Sequence, residues 1–336
     1  LNQRPLISVV MPVFKVERYV AKAIQSVIEQ SMADWELILV DDASPDASAE
    51  IIAGFTDRRI RHIKHAQSLG PAIARNTAIQ TAQGDYIALL DSDDIAHPDR
   101  LAKQFEFLEN NPQAGLVGCW AELISEAGQV TGLRRNPYPN HLLSPMLVFR
   151  NTFITSSLTI RKAAIPSTMF GAMLAEDYDF VSRLAERWDI AVLPEALVQY
   201  RLNSQGLMGT RWQQIKADCW ATQLRLLEQL GIEPTATEAQ LHQRISHAVS
   251  DGITSSEAER AGPWLEKIIA ANDRNARYER DQLRQVCSEI LMSLWRCAAG
   301  EGFAAVFKAR SAMAAFGQPP GLGQMARLAA RAWRAG

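Results

Sequence analysis

The 336-residue sequence lacks the motifs of the commoner nucleotide sites. No G-x-G-x-x-G follows the first apolar run, which reads "MPVFK", and no G-x-x-x-x-G-K-[ST] occurs anywhere, so a dinucleotide-binding turn and a P-loop are both excluded. Charge of one sign is missing too. The 35 Lys and Arg against 37 Asp and Glu leave a formal charge of -2, without the basic footprint of a nucleic-acid binder. No apolar run approaches the roughly 18 residues needed to cross a bilayer, and the start, "LNQRPLISVVMP", has no signal-peptide layout. Cys119, Cys219, Cys287 and Cys297 stand far apart in no metal-binding spacing, and the six histidines form no zinc pattern. Reduced, core-type thiols in a cytoplasmic protein, not integral to a membrane, are the expectation.

What is present is an ordinary globular composition, 47% hydrophobic and 21% charged, on a chain long enough for one large catalytic domain and an appendage. Short β-rich runs alternate with helical periodicity: "LISVVMP", then Val20, Ile24, Val27 and Ile28, then "ELILVDD", then an amphipathic stretch from Ala47 to Phe55, then "RIRHIKH" and "GDYIALLD". This alternation predicts an α/β fold with a mostly parallel sheet covered on both faces. Further on, "GLVGCWAELI", "SSLTIRK" and "IAVLPEALVQYRL" read as strands and "EDYDFVSRLAERW" as a helix. After about residue 206 only helical spacing remains. Thr235 stands in capping-box spacing to Glu238, and Gly231, Gly252, Gly300 and Gly317 sit where helices would end.

The run "DYIALL" stops on "DSDD", with Asp91, Asp93 and Asp94 together at the mouth of a buried strand. Like charges at that spacing repel, so the cluster costs stability unless a positive group joins it. A bound divalent cation and an acidic turn capping the helix after "HPDRL" both account for it. Parallel sheets bind ligands outside the carboxyl ends of their strands, where Pro12, Asp41, Asp42, Asp91 and Asp93 all fall.

Four stretches in order, "PVFKVERYVAKAIQSVIEQ", "ELILVDDASPDAS", "GPAIARNTAIQTAQGDYIALLDSDD" and "LAEDYDFVSRLAERWDIAVLPEALVQYRLNSQGLM", resemble family 2 glycosyltransferases of the GT-A fold, over about residues 6 to 208. The resemblance implies a catalytic domain over 1–208, a helical C-terminal region over 209–336, and a nucleotide-sugar pocket drawing on Pro12, Phe14, Glu17, Asp42, Arg75, Asp91 and Ser92. Asp42 would hydrogen-bond the base, with a turn or cap role as its alternative, and Asp46 would cap a helix. Arg75 would contact the nucleotide or order the acidic strand ends; its guanidinium fork suits either task. Asp93 would ligate Mn²⁺ or Mg²⁺, Asp91 would face the ribose and metal shell, and Asp94 would support the next helix.

In "AEDYD" the resemblance makes Asp177 the general base and Glu176 its partner; simple complementation of a helix dipole is the alternative, above all for Asp179. The implied reaction is an inverting transfer from a nucleotide sugar, with a UDP-sugar expected, to a glycan or lipid-linked hydroxyl acceptor in cell-envelope polysaccharide or glycoconjugate synthesis. One departure stands out: relatives often carry His shortly after "YR", whereas here Asn203 occupies that place, an oxygen ligand that cannot titrate. Trp120, Trp188 and Trp212 suit either sugar stacking or a core. The basic end "GQMARLAARAWRAG" suits an anionic membrane surface, docking on its own domain, or contact with a second copy. A non-enzymatic module of the same fold remains an alternative, as does a Mg-dependent phosphatase, although Ile95 after Asp94 does not fit the latter's motif.

Overall fold

The computed structural model describes residues 4–203 and 211–298. Contacts divide the chain into two compact units. One takes the chain up to Leu143 together with Thr152–Asp218, and the other takes Ser144–Asn151 and the chain from Cys219 onward. The expected border at 208/209 falls among residues outside the description.

The first unit is built on a mixed sheet of strands β1 (Ile7–Val13), β2 (Trp35–Asp41), β3 (Ile60–Lys64), β4 (Tyr86–Leu89), β5 (Ile95–Ala96), β6 (Ala114–Ile124), β7 (Val130–Arg134), β8 (Thr159–Arg161) and β9 (Asp189–Arg201). Their order is β3-β2-β1-β4-β8-β6-β9-β5, with β7 paired to β6. The first four strands are parallel; β8 runs antiparallel to both β4 and β6, and β6 pairs parallel with β9. Strands β1, β2, β4, β6 and β9 therefore all end on one edge, and β8 begins there.

Alternation explains how the sheet is covered. Ile7, Val9, Met11, Val13, Leu37 and Leu39 join one buried cluster with Val20, Ile24 and Val27 of α1 (Val20–Ile28), Ile52 of α2 (Ser48–Ala53), and Leu101 and Leu108 of α4 (Arg100–Asn110). On the opposite face, α3 (Pro71–Thr81) packs against β1 and β2. Two prolines sit where the ladder tolerates them. Pro12 lies past Val10, the last residue that β4 pairs, so its missing N–H loses no bond on that side. Pro194 falls where the β6–β9 register jumps from Cys119↔Leu193 to Trp120↔Ala196, a bulge in the long strand read from "IAVLPEALVQYRL".

One expected strand is shorter than read. Of "SSLTIRK" only Thr159–Arg161 extends, and Thr155–Ser157 forms a single 3₁₀ turn. The Ser157 hydroxyl bonds back to the carbonyl of Ile154, the local competition that makes serine a poor strand residue.

The C-terminal region is helical, as expected, over 212–229, 236–246, 255–275 and 280–298 with a shorter turn at 248–251, and from Cys219 it belongs to the second unit. The Thr235–Glu238 capping box forms, and a second, Thr254–Glu257, starts the helix at 255. Gly231 and Gly252 take φ of 76° and 71° after their helices, while Gly300 and Gly317 lie outside the described residues. At its centre His242 is fully buried. Its Nε2 lies 3.0 Å from the Val148 carbonyl, and its Nδ1 accepts from Trp264 Nε1 at 3.1 Å. Those partners define a neutral ring with its hydrogen on Nε2, and burial drives its pKa down to about 4. The histidine is a core residue.

Candidate active site

The acidic turn 90–94 is held between β4 and β5, at the edge where the parallel strands end. Asp91 is partly exposed, Ser92 and Asp94 are buried, and the Asp94 amide closes the turn on the Asp91 carbonyl at 3.1 Å. Beneath it lies the buried guanidinium of Arg100, which donates to the carbonyls of Leu89 and Leu158 and to Gln104. Burial lowers its pKa to about 10. Arg201, at the end of β9, adds a second clamp. Its amide donates to Asp94 Oδ1, its Nε to the Asp93 carbonyl, and its Nη1 to the carbonyls of Ser125 and Glu126. Sequence reading passed over both arginines; a cation at the end of a buried strand was the available signal for Arg201.

Arg75 joins the two acidic stretches. From α3 its Nη2 reaches Asp91 Oδ1 at 2.7 Å, and its Nη1 pairs with Glu176 Oε1. Of the two tasks open to Arg75, ordering the acidic strand ends is the one these contacts perform. Burial opposes its charge, but Asp91 and Glu176 outweigh burial and raise its pKa. Glu176 and Asp177 open α6 (Glu176–Leu184), which follows the short α5 (Leu143–Met146) in helix order. Asp177 accepts from the Thr155 hydroxyl at 2.9 Å on Oδ2 and from the Tyr178 amide at 2.7 Å on Oδ1. Asp179 pairs instead with Arg183 one turn on at 2.8 Å, and Arg183 also holds the carbonyls of Thr168 and Met169, so this carboxylate braces the helix.

Three carboxyls, Asp93, Asp94 and Glu176, are pushed upward, Asp94 by burial and then by Asp93 and Asp91. Burial, and then Asp91, pushes Asp93 up to about 6. Burial pushes Glu176 up to about 7, with Arg75 opposing and Asp177 adding to the rise. Tyr200 beside the turn rises to about 12 through burial and then Asp94 and Asp91.

Asp42, which the resemblance implied as a base contact, is bonded within the chain. It is 3% exposed, and its carboxylate receives His65 Nδ1 at 2.7 Å, the Ser68 hydroxyl, and the amides of Leu69 and Gly70. Burial raises its pKa, but these bonds prevail and the net shift is downward. A carboxylate has about four lone pairs, so this set leaves no free acceptor for the N–H of a base. Asp42 instead braces the loop leading to α3, where Gly70 adopts φ 92°. Because the carboxylate only accepts, His65 carries its hydrogen on Nδ1, and the Thr77 hydroxyl donates to Nε2 at 3.0 Å.

Glu17 is laced to the neighbouring loop: its amide donates to Asp46 and its carboxylate accepts from the Ala47 amide. Asp46 also accepts from the amide and hydroxyl of Ser48, an Asx turn leading into α2, whose capping position is Ala47 rather than the expected Asp46. Phe14 is 42% exposed after β1, beside Lys15, whose φ of 56° is matched by Ala43 (φ 58°) after β2. Left-handed conformations at non-glycine residues cost energy and gather at working edges of folds. Pro12 is half-buried at the same edge, and Asn203 is half-buried two residues past Arg201. Trp188 packs on Gly115 and Trp120 lies against Arg135, so neither position singles out a sugar platform.

The family model "Glycosyl transferase family 2" matches residues 8–166. An uncharacterized glycosyltransferase of Methanocaldococcus jannaschii, MJ1057, is 32% identical over 207 residues, 59% of this chain and 71% of its own length. TuaG of Bacillus subtilis, a putative teichuronic acid biosynthesis glycosyltransferase, is 31% identical over 64% of this chain and 86% of its own. The chain belongs to glycosyltransferase family 2.

A family 2 member should share its fold with solved relatives, and it does. The structure of S. aureus TarS residues 1–349 with UDP-GlcNAc superposes with a TM-score of 0.56, covering 93% of this chain and 92% of that one at 17% identity. The GT-A architecture inferred from the four sequence stretches is therefore present. Among the described residues of this glycosyltransferase, no helix is long and apolar enough to cross a membrane. The basic stretch around Arg327, Arg331 and Arg334, and with it the membrane or second-copy contact weighed for it, lies outside the described residues.

Proposed function

We propose that this glycosyltransferase transfers a sugar from a UDP-sugar to a hydroxyl of a growing cell-envelope glycan by a single, inverting displacement. The observation that supports this most directly is the Arg75 bridge, which places the Asp91 end of the sheet and the Glu176–Asp177 end of α6 on one buried guanidinium. Donor and acceptor chemistry need that neighbourhood: one acidic set for the diphosphate end, another for the attacking hydroxyl. Asp177, half-buried and held on both oxygens, takes the acceptor proton as general base. Glu176, beside it and paired to Arg75, fixes the helix start against the strand end. Phe14 and Pro12 lie where a nucleoside would be held, with Asp42 supporting the wall of that pocket from behind.

The donor set at the turn suits a hard divalent cation. Mg²⁺ and Mn²⁺ use one or two carboxylates together with substrate phosphates, so the lack of a three-ligand group among the described residues is consistent with such a site. Asp93 and Asp91 are crowded enough to favour a positive partner, and a cation held there would neutralise the departing diphosphate. An acceptor on a lipid carrier accords with one relative. WfgD of Escherichia coli, 26% identical over 63% of this chain, is a glucosyltransferase acting on a GlcNAc-diphosphoundecaprenol.

Calorimetric titration with UDP, GDP and a dinucleotide, each with and without Mn²⁺, tests the reading. UDP binding that requires Mn²⁺, lost in Asp93→Ala and kept in Asp177→Asn, is the expected outcome. Asp177→Asn should lower turnover by about 10²- to 10⁴-fold. Metal-independent UDP binding, or an active Asp177→Asn, would sink the respective assignment.

A further inference from the structure

The turn Thr155–Ser157 links both halves of the site, and neither its residues nor its conformation was singled out from sequence. It precedes β8 on the edge where the parallel strands end. Two adjacent hydroxyls face in different directions. Thr155 Oγ1 donates to Asp177 Oδ2 at 2.9 Å, while Ser156 Oγ accepts from the Asp91 amide at 3.1 Å. Ser156 is fully buried and Thr155 partly so. The turn is itself fixed from below: the Ser157 carbonyl accepts from Gln104 at 2.7 Å, and the Leu158 carbonyl from the buried Arg100.

We propose that Thr155 is a positioning residue for the proton acceptor Asp177, and that Ser156 performs the corresponding task for the acidic strand end. One rigid turn thus sets the distance between base and donor. The argument rests on the reading of Asp177 given above. The Thr155 hydroxyl donates to Oδ2 and the Tyr178 amide to Oδ1, so the two bonds together fix the plane of the Asp177 carboxylate. Loss of the Thr155 bond therefore lowers the rate without weakening donor binding, a split that a purely structural bond would not produce.

The two variants should separate. Thr155→Val preserves shape and removes the hydroxyl. Turnover, read as UDP release from UDP-glucose and UDP-N-acetylglucosamine with Mn²⁺, is expected to fall roughly 10- to 100-fold, the effect of losing one hydrogen bond to a charged group. The calorimetric affinity for UDP with Mn²⁺ stays as in the wild type. Thr155→Ser, which keeps the hydroxyl, recovers most of the rate. Ser156→Ala shows the reverse split, weaker Mn²⁺-dependent UDP binding with a smaller change in turnover. In an Asp177→Asn background, Thr155→Val should have no further effect. If Asp177→Asn is inactive yet Thr155→Val is unaffected, or Thr155→Ser is as impaired as Thr155→Val, the positioning role is wrong while the reading of the site stands. If Asp177→Asn retains full activity, the reading itself fails.

Discussion

The strand-end unit and the helical unit both bury polar groups, but of opposite kinds. Around the site the buried groups are charged: Arg75 between Asp91 and Glu176, Arg100 under the turn, Arg201 across it, and Asp94 within it. In the helical unit the central polar group is His242, kept neutral and satisfied on both nitrogens by Val148 and Trp264. Burying charge is expensive even when paired, and well-packed apolar groups would often stabilise as much. A neutral, fully bonded ring costs far less. The first arrangement makes sense where a reaction needs fields and directed carboxylates, the second where only a fold is needed.

The sharpest way to break this contrast is Arg75→Met. Removing one partner of a buried ion pair strands the others and typically costs about 3–5 kcal/mol. Melting temperature should drop, and activity should be lost even at temperatures where the variant is folded. A variant as stable and active as wild type would show that the charged network is dispensable.

The two units should also respond to acid in opposite senses. His242 has a folded pKa of about 4 against an ordinary 6.5, so between those values the unfolded chain binds more protons and stability is lost as pH falls. At about 1.4 kcal/mol per unit, the loss approaches about 3 kcal/mol. Hydrogen exchange over 236–246 across that window, compared with His242→Phe, checks it: the substitution should flatten the slope.

Glu176 gives the reverse. Its folded pKa of about 7 lies above the ordinary 4.5, so the native state binds more protons in between and stability falls as pH rises through that window. Exchange over 176–184 should show it in the wild type and not in Glu176→Gln; a slope that persists in the variant assigns the titration elsewhere.

The smallest effect tests the helical unit's local order. Thr235→Ala removes a capping box and should destabilise by about 1 kcal/mol without touching donor binding. A change in UDP affinity would show that the two regions are coupled more closely than their separate chemistry suggests.

Much of the fold was legible beforehand because it rests on local signals. Short continuous apolar runs marked β1, β2 and β4, helical spacing marked α1 and α6, and Thr235 with Glu238 marked a helix start, since each acts over a few residues. Ser156 and Ser157 were misread because "SSLTIRK" has strand composition, while the Ser157 hydroxyl bonds back to Ile154 and the pair lies in a turn instead. The acidic clusters and their order along the chain were equally visible. The sequence by itself therefore determined the family, the sheet-then-helix layout and the identity of the carboxylates. Only the tertiary structure decided what each polar group bonds: Arg75 to both acidic sets, Asp42 to the loop before α3, Thr155 to Asp177, and Arg201 to the turn at Asp93. The physical reason is that a hydrogen bond depends on position within about 3 Å, and partners distant along the chain meet at that range only when strand order and direction bring their ends to one edge.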